Sequence, residues 1–135
     1  MLFPKTRKPL KKFRKARLSE NSKSSRGLLT FPNSIAVRAS CVGFITSRQI
    51  EAVRRYLKRN LKKRAFLYLR IFPDTSKTKK PEKARMGKGK GRMHLWFFTV
   101  SKGKILFEAF GNSNSFIKNI FRKIKYRLHI KTLTV

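Results

Sequence analysis

The chain has 135 residues, of which 36 are Lys or Arg and 5 are Asp or Glu, giving a formal net charge of +31. That excess is far beyond what solubility requires and sets the chain against its own field, so a polyanionic partner is expected, nucleic acid ahead of anionic lipid. An apolar share of 40% is ordinary, which excludes a disordered polycation, and no run of about 18 apolar residues is present to span a bilayer.

Residues 1–30 read as a basic arm. Eight of the first eighteen residues are Lys or Arg, and no acid precedes Glu20, so the segment has little to bury. Phe3, Leu10 and Phe13 interleave with the charge, which suits a segment that orders against nucleic acid, where apolar groups pack on sugars and bases. The apolar core of a secretory signal is missing, and Pro4 and Pro9 argue against the amphipathic helix of a transit peptide.

Globular patterning begins near Ser34, and a single α+β domain is expected over 31–135. SIAVRASCV alternates as a strand, with Ile35, Val37, Ala39 and Cys41 on one face. Cys41, the one cysteine, permits neither an internal disulfide nor a cysteine-based metal cluster, and its apolar setting predicts a buried structural thiol. No cofactor or metal is expected.

A helix follows. Thr46 with Gln49 three residues on makes a capping box, and Ile45 with Ile50 supplies the hydrophobic staple around it. Ile50, Val53, Leu57 and Leu61 recur at helical spacing as the buried stripe. The opposite face is basic, with Arg55, Lys58, Arg59, Lys62 and Lys63, and Glu51 is the only acid to relieve it. Like charges one turn apart cost an isolated helix a few tenths of a kcal/mol each. A polyanion reverses that sign, so this face is a candidate RNA contact.

FLYLRIFP is predicted as a strand, central because both of its faces are largely apolar, and Pro73 ends it. A basic loop is expected over about 74–93, carrying eight Lys or Arg against two acids. HLWFFTV and KILFEAF are predicted as two strands of a hairpin turning at 101–103, where Gly103 is available for a positive φ. Asn112 or Ser113 caps a last helix with Phe116, Ile117, Ile120, Phe121 and Ile124 inward and Lys118, Arg122 and Lys125 outward. HIKTLTV completes the sheet. This order gives an α+β fold, a small mixed or antiparallel sheet with two packed helices, a long basic glycine loop and a basic N-terminal arm.

The loop holds the most informative stretch, RMGKGKGRMHLW at 85–96. It fails the Walker pattern, because no Ser or Thr follows a lysine, and it fails the dinucleotide fingerprint, because Arg92 occupies the third glycine's place. It also leads into a strand, so no helix N-terminus waits for a phosphate. An irregular connection is one reading of its glycines. The other is an RNA-probing finger, since a compact domain seldom carries more than about 12–15 residues of loop without function, and Gly87, Gly89 and Gly91 expose amide donors beside lysine countercharge.

KKRAFLYLRIFPD followed by RMGKGKGRMHLW resembles the paired signatures of the large-subunit ribosomal protein L sixteen family, of bacterial and organellar type. Lys62, Lys63, Ala65, Tyr68, Arg70, Phe72 and Pro73 fit the first signature, and Phe66 stands where a polar or small residue is usual. Arg85, Met86, Gly87, Gly89, Lys90, Gly91 and Trp96 fit the second. TSRQIEAVRR, the opening MLFPK, KGKILFE and the terminal IKT extend the similarity over most of the chain. The chain departs from the family where RLSENSKSSRG replaces a glycine-rich basic stretch, where His129 replaces a common proline, and in the missing acids of the last helix.

The resemblance implies a structural constituent of the large ribosomal subunit with no enzymatic role. It would bind large-subunit rRNA near the A-site tRNA elbow and the peptidyl transferase centre, supporting tRNA positioning and late subunit assembly. Its implied partners are rRNA, A-site tRNA and neighbouring ribosomal proteins, with no membrane and no homo-oligomer. The implied finger contacts are Arg85, Met86, Gly87, Lys88, Gly89, Lys90, Gly91 and Arg92, and the arm contacts are Lys5, Arg7, Lys8, Lys12 and Arg14. Enrichment in Lys, Phe, Ile and Asn points to an AT-rich organellar genome, hence a mitochondrial ribosome before a plastid or bacterial one, with no presequence needed. Two rivals remain: a free-standing packaging protein, since phosphate contacts carry no sequence information, and a basic ribonuclease using His94 and His129.

Overall fold

The structure is a computed structural model that describes residues 29–87 and 89–135. The arm contacts Lys5, Arg7, Lys8, Lys12 and Arg14, and Lys88 of the finger, lie outside the described residues. In chain order the elements are β1 (Ile35–Ala39), β2 (Gly43–Thr46), α1 (Ser47–Leu61), β3 (Ala65–Leu69), β4 (Thr75–Lys79), β5 (Arg92–Val100), β6 (Ile105–Gly111), α2 (Asn114–Ile124) and β7 (Thr132–Thr134). They form an α+β fold with two antiparallel sheets, ordered β3-β6-β1-β7 and β2-β5-β4.

The capping box forms as the sequence predicts. The Thr46 amide donates to Gln49 Oε1 at 2.8 Å, and the Gln49 amide donates back to Thr46 Oγ1 at 3.3 Å. Ile50, Val53, Leu57 and Leu61 are buried along one stripe of α1. Ile117, Ile120, Phe121 and Ile124 of α2 join them, with Ile35, Val37, Phe107 and Ala109 from one face of the four-stranded sheet, in one hydrophobic cluster. Ser113 is the N-cap of α2 and makes no side-chain capping bond, so packing of the apolar stripe carries that helix.

Four expectations are corrected. β3 is an edge strand, pairing only with β6, while β6 and β1 occupy the centre; its second apolar face, with Phe66 and Tyr68, is open to solvent rather than covered by another layer. The segment 74–93 is not one loop, since Thr75–Lys79 pairs with β5 from Thr75 opposite Phe97 to Lys79 opposite Arg92. β5 and β6 are not a hairpin: they belong to different sheets, and the turn between them carries the chain from one sheet to the other. Gly103 does take a positive φ of 83° there, and its amide is held by the Ala39 carbonyl at 2.8 Å. Finally, the first strand ends at Ala39 and β2 begins anew at Gly43, leaving Cys41 in the bend between them, half-buried against the core.

Two acids hold polar parts of this frame. Glu51, buried on α1, receives Arg54 Nε at 2.9 Å and Nη2 at 2.7 Å, and Arg55 Nε at 3.0 Å. The Arg54 hydrogen bonds lower its carboxyl from an ordinary 4.5 to about 2, against the opposing effect of burial. Glu108, fully buried on β6, accepts at Oε1 from the amides of Thr30 and Phe31 at 2.7 and 3.1 Å and from Ser34 Oγ at 2.7 Å. Its Oε2 faces Arg70 Nη1 at 3.2 Å. This one carboxylate fixes the segment through which the body joins the basic arm.

Candidate nucleic-acid interface

Residues 85–87 and 89–91 are carried at the end of a two-stranded antiparallel ribbon, β4 against β5, whose last pair sets Lys79 opposite Arg92, rather than by a free loop. The ribbon gives the basic tip a defined base, and a bulge at Lys77/Thr78 bends it. At the tip the Lys80 ammonium donates to the Gly87 carbonyl at 2.7 Å, tying the two limbs together. Between the limbs lies a cleft of about 880 Å³ lined by Lys79, Lys80, Lys83, Arg85, Lys90 and Arg92 among others. Arg85, Gly87, Gly89, Lys90 and Arg92 are exposed, and Met86 is fully so.

The three glycines do different work. Gly87 and Gly89 have φ of 97° and 68°, and a side chain at either would meet nothing within 4 Å. They supply backbone conformation and leave the tip bare. At Gly91 a Cβ would lie 2.6 Å from the Lys79 carbonyl carbon and oxygen, so its bareness lets the limbs close on each other. A valine at Gly91 is therefore expected to force the ribbon apart, and a valine at Gly89 to strain the tip alone. Hydrogen exchange of the β4 and β5 amides separates the two cases: protection falls in Gly91→Val and is kept in Gly89→Val, with the core intact in both.

The second basic surface is α1. Arg55, Lys58, Arg59, Lys62 and Lys63 are all exposed, as the sequence predicts, although Arg55 is partly engaged by Glu51. Lys62 ends the helix at a φ of 47°, with its amide on the Lys58 carbonyl at 3.1 Å. A glycine holds such a backbone at less cost. Lys62→Gly is thus expected to stabilise the folded chain by up to about 1 kcal/mol, measured by denaturant unfolding, while weakening RNA binding.

Sequence reasoning missed two contributions. The sequence does not distinguish Lys79, Lys80 and Lys83 from the rest of the basic loop, whereas the cleft gathers them with Arg85, Lys90 and Arg92. Lys118, Arg122 and Lys125, which the sequence predicts to point outward from the last helix, line a cleft of about 350 Å³ against β7. Their signal was one side of a helix without an acid. His94 lines the finger cleft on β5 of the three-stranded sheet, whereas His129 sits in the connection from α2 to β7, a strand of the four-stranded sheet, so the two imidazoles are carried by different parts of the fold. Among the described residues no group of His, Cys, Asp or Glu is arranged to hold a metal, and no helix is long and apolar enough to cross a membrane.

The family model described as Ribosomal protein L16p/L10e matches residues 4–135. The chain belongs to that family. It is 40% identical over 134 residues to the large ribosomal subunit protein uL16 of Thioalkalivibrio sulfidiphilus, covering 98% of this chain and 94% of that protein. It is 38% identical over 136 residues to the proteins of the same name from Acinetobacter baylyi and Acinetobacter baumannii, covering 100% of this chain and 96% of each. These relatives of the L16p/L10e family are bacterial proteins. The likeness runs through both the ribbon and α1, so the two basic surfaces lie within the matched part of the chain.

Proposed function

We propose that the chain is a structural constituent of the large ribosomal subunit that binds large-subunit rRNA near the A-site tRNA elbow and the peptidyl transferase centre. There it supports tRNA positioning and late assembly of the subunit. The observation that carries this reading is the β4–β5 ribbon, which ends in Arg92 and carries Arg85 and Lys90 beyond it on a bare glycine tip. A fixed, shaped probe suits one site in a folded polynucleotide better than indiscriminate coating. Family membership supports the same reading. The basic face of α1 and the arm add phosphate contacts that position without reading sequence, and neighbouring ribosomal proteins and A-site tRNA complete the set of partners. A Lys- and Phe-rich composition supports an organellar, mitochondrial ribosome.

A tagged chain is expected to co-sediment with large subunits through a high-salt wash and to be released by ribonuclease. Binding to isolated large-subunit rRNA should fall with salt at a log-log slope of many contacts, each contributing about −0.7 to −0.9. Recovery of the native chain as a lone monomer indifferent to ribonuclease, or a slope near that of one contact, overturns the proposal. Equal affinity for unrelated duplexes supports a packaging role instead.

A further inference from the structure

The four-stranded sheet has a second face that the basic ribbon and α1 do not explain. Directly opposed residues of an antiparallel pair share a face. Phe66 opposes Phe110, and Tyr68 opposes Glu108, which in turn opposes Ala36. None of these five belongs to the hydrophobic cluster formed with the helices on the other side of the sheet. Phe66 is 82% exposed and Tyr68 52%, and Phe110 and Phe31 are exposed as well.

The rings are arranged rather than scattered. Phe31 meets Tyr68 edge-on, with centroids 5.9 Å apart and planes at 83°, and lies 6.4 Å from Phe110. That leaves Phe66, at the margin of the group, with its ring open. The backbone beneath Phe31 is pinned by Glu108, so the platform is set before any ligand arrives.

Exposed aromatic area of this kind marks an interaction site. Its electrostatic setting selects the occupant. The carboxylate on this face, Glu108, is buried and faces Arg70, so among the described residues no exposed acid is presented there. The strand is entered through Lys62, Lys63 and Arg64, all exposed. Flat rings flanked by cations fit a partner with both flat π faces and negative charge.

We infer that the outer face of β3 and β6 is a stacking platform for unpaired nucleobases, with Phe66 and Tyr68 as the primary contacts. Alternate residues of a strand place two rings along one line, the spacing on which bases splayed from a single strand stack. The inference rests on the ribosomal reading and deepens it: beyond phosphate contacts, the chain captures looped-out bases of its RNA.

The test compares a short single-stranded oligoadenylate with an abasic strand of the same length, bound by the full chain. The wild type is expected to prefer the base-bearing strand by about tenfold. Phe66→Ala with Tyr68→Ala should abolish that preference and leave affinity for the abasic strand unchanged. Thermal unfolding of the single Phe66→Ala variant should be unchanged, because the ring is mostly in solvent, and Phe66→Trp should restore stacking. A preference that survives the double substitution overturns the inference. So does a double variant that keeps the preference yet no longer joins large subunits, which assigns the face to a neighbouring protein. No preference in a wild-type chain that still co-sediments with large subunits sinks this inference alone, whereas failure to bind either strand or the subunit sinks the ribosomal reading with it.

Discussion

Glu108→Ala is expected to destabilise the isolated chain by about 3–5 kcal/mol, the cost of removing one partner from a buried ion pair, read as a lowered denaturant midpoint. Two oxygens carry the whole arrangement: Oε1 takes the Thr30 and Phe31 amides and the Ser34 hydroxyl, and Oε2 faces Arg70. Alanine leaves those donors without this acceptor and a void at the centre of β6. Glu108→Gln should cost less, because an amide carbonyl can still accept at one position while its NH2 opposes Arg70.

The pH dependence has a definite sign. Burial pushes the Glu108 carboxyl up, but the hydrogen bonds from Ser34, Phe31 and Thr30 together bring it below 4.5. A carboxyl lowered on folding contributes stability that is complete above its unfolded pKa and is lost as pH falls through the folded one. Glu51, lowered to about 2 by Arg54, behaves alike. The wild type should therefore lose stability as pH falls below about 4.5, towards 2. Glu108→Ala should lose less over that window, because one of the two contributors is already gone. An acid-unfolding curve parallel to wild type at every pH would contradict the role given to Glu108.

Periodic apolar residues made the helices readable. Thr46 and Gln49 announced the start of α1, and Ile50, Val53, Leu57 and Leu61 its buried stripe, because a helix that packs on one side must repeat its apolar residues. β4 offered no such pattern. TSKTK has no apolar residue on either side, and its pairing comes from β5, whose strand continues past the core and holds it by backbone hydrogen bonds. β3 failed in the opposite way. Its two apolar faces suggested burial on both sides, whereas Phe66 and Tyr68 are apolar and exposed, a pattern that burial does not explain and binding does. The hairpin assumed between β5 and β6 rested on a short glycine turn, and a turn reports only the reversal of the chain, not which neighbour each strand pairs with. Within the finger, Arg85 and Lys90 lie beyond the paired strands and Arg92 opens β5, and the sequence could not separate Gly91, which packs on Lys79, from Gly87 and Gly89, which lie open. The arm contacts lie outside the described residues and stay as the sequence and the resemblance propose them.

Replacing Arg85, Lys90 and Arg92 together by alanine should reduce the magnitude of the log-log salt slope for rRNA binding by about 2 to 3, if each neutralises one phosphate. The loss in affinity should be greatest at low salt, where released counterions gain the most entropy, and should shrink as salt rises. Stability should change little or rise. These side chains are exposed on a ribbon outside the hydrophobic cluster, and in the free chain they add only repulsion to a net charge of +31. Removing Lys58 and Arg59 from α1 provides the comparison, since they too are exposed cations but sit on the packed body. If each variant lowers the slope in proportion to the charges removed yet only the finger variant fails to support tRNA positioning in reconstituted subunits, then the charges on α1 anchor the protein and the tip acts at the functional centre. A finger variant with an unchanged slope would mean that the tip meets no phosphate, and that its glycines serve the shape of the ribbon rather than the approach of RNA.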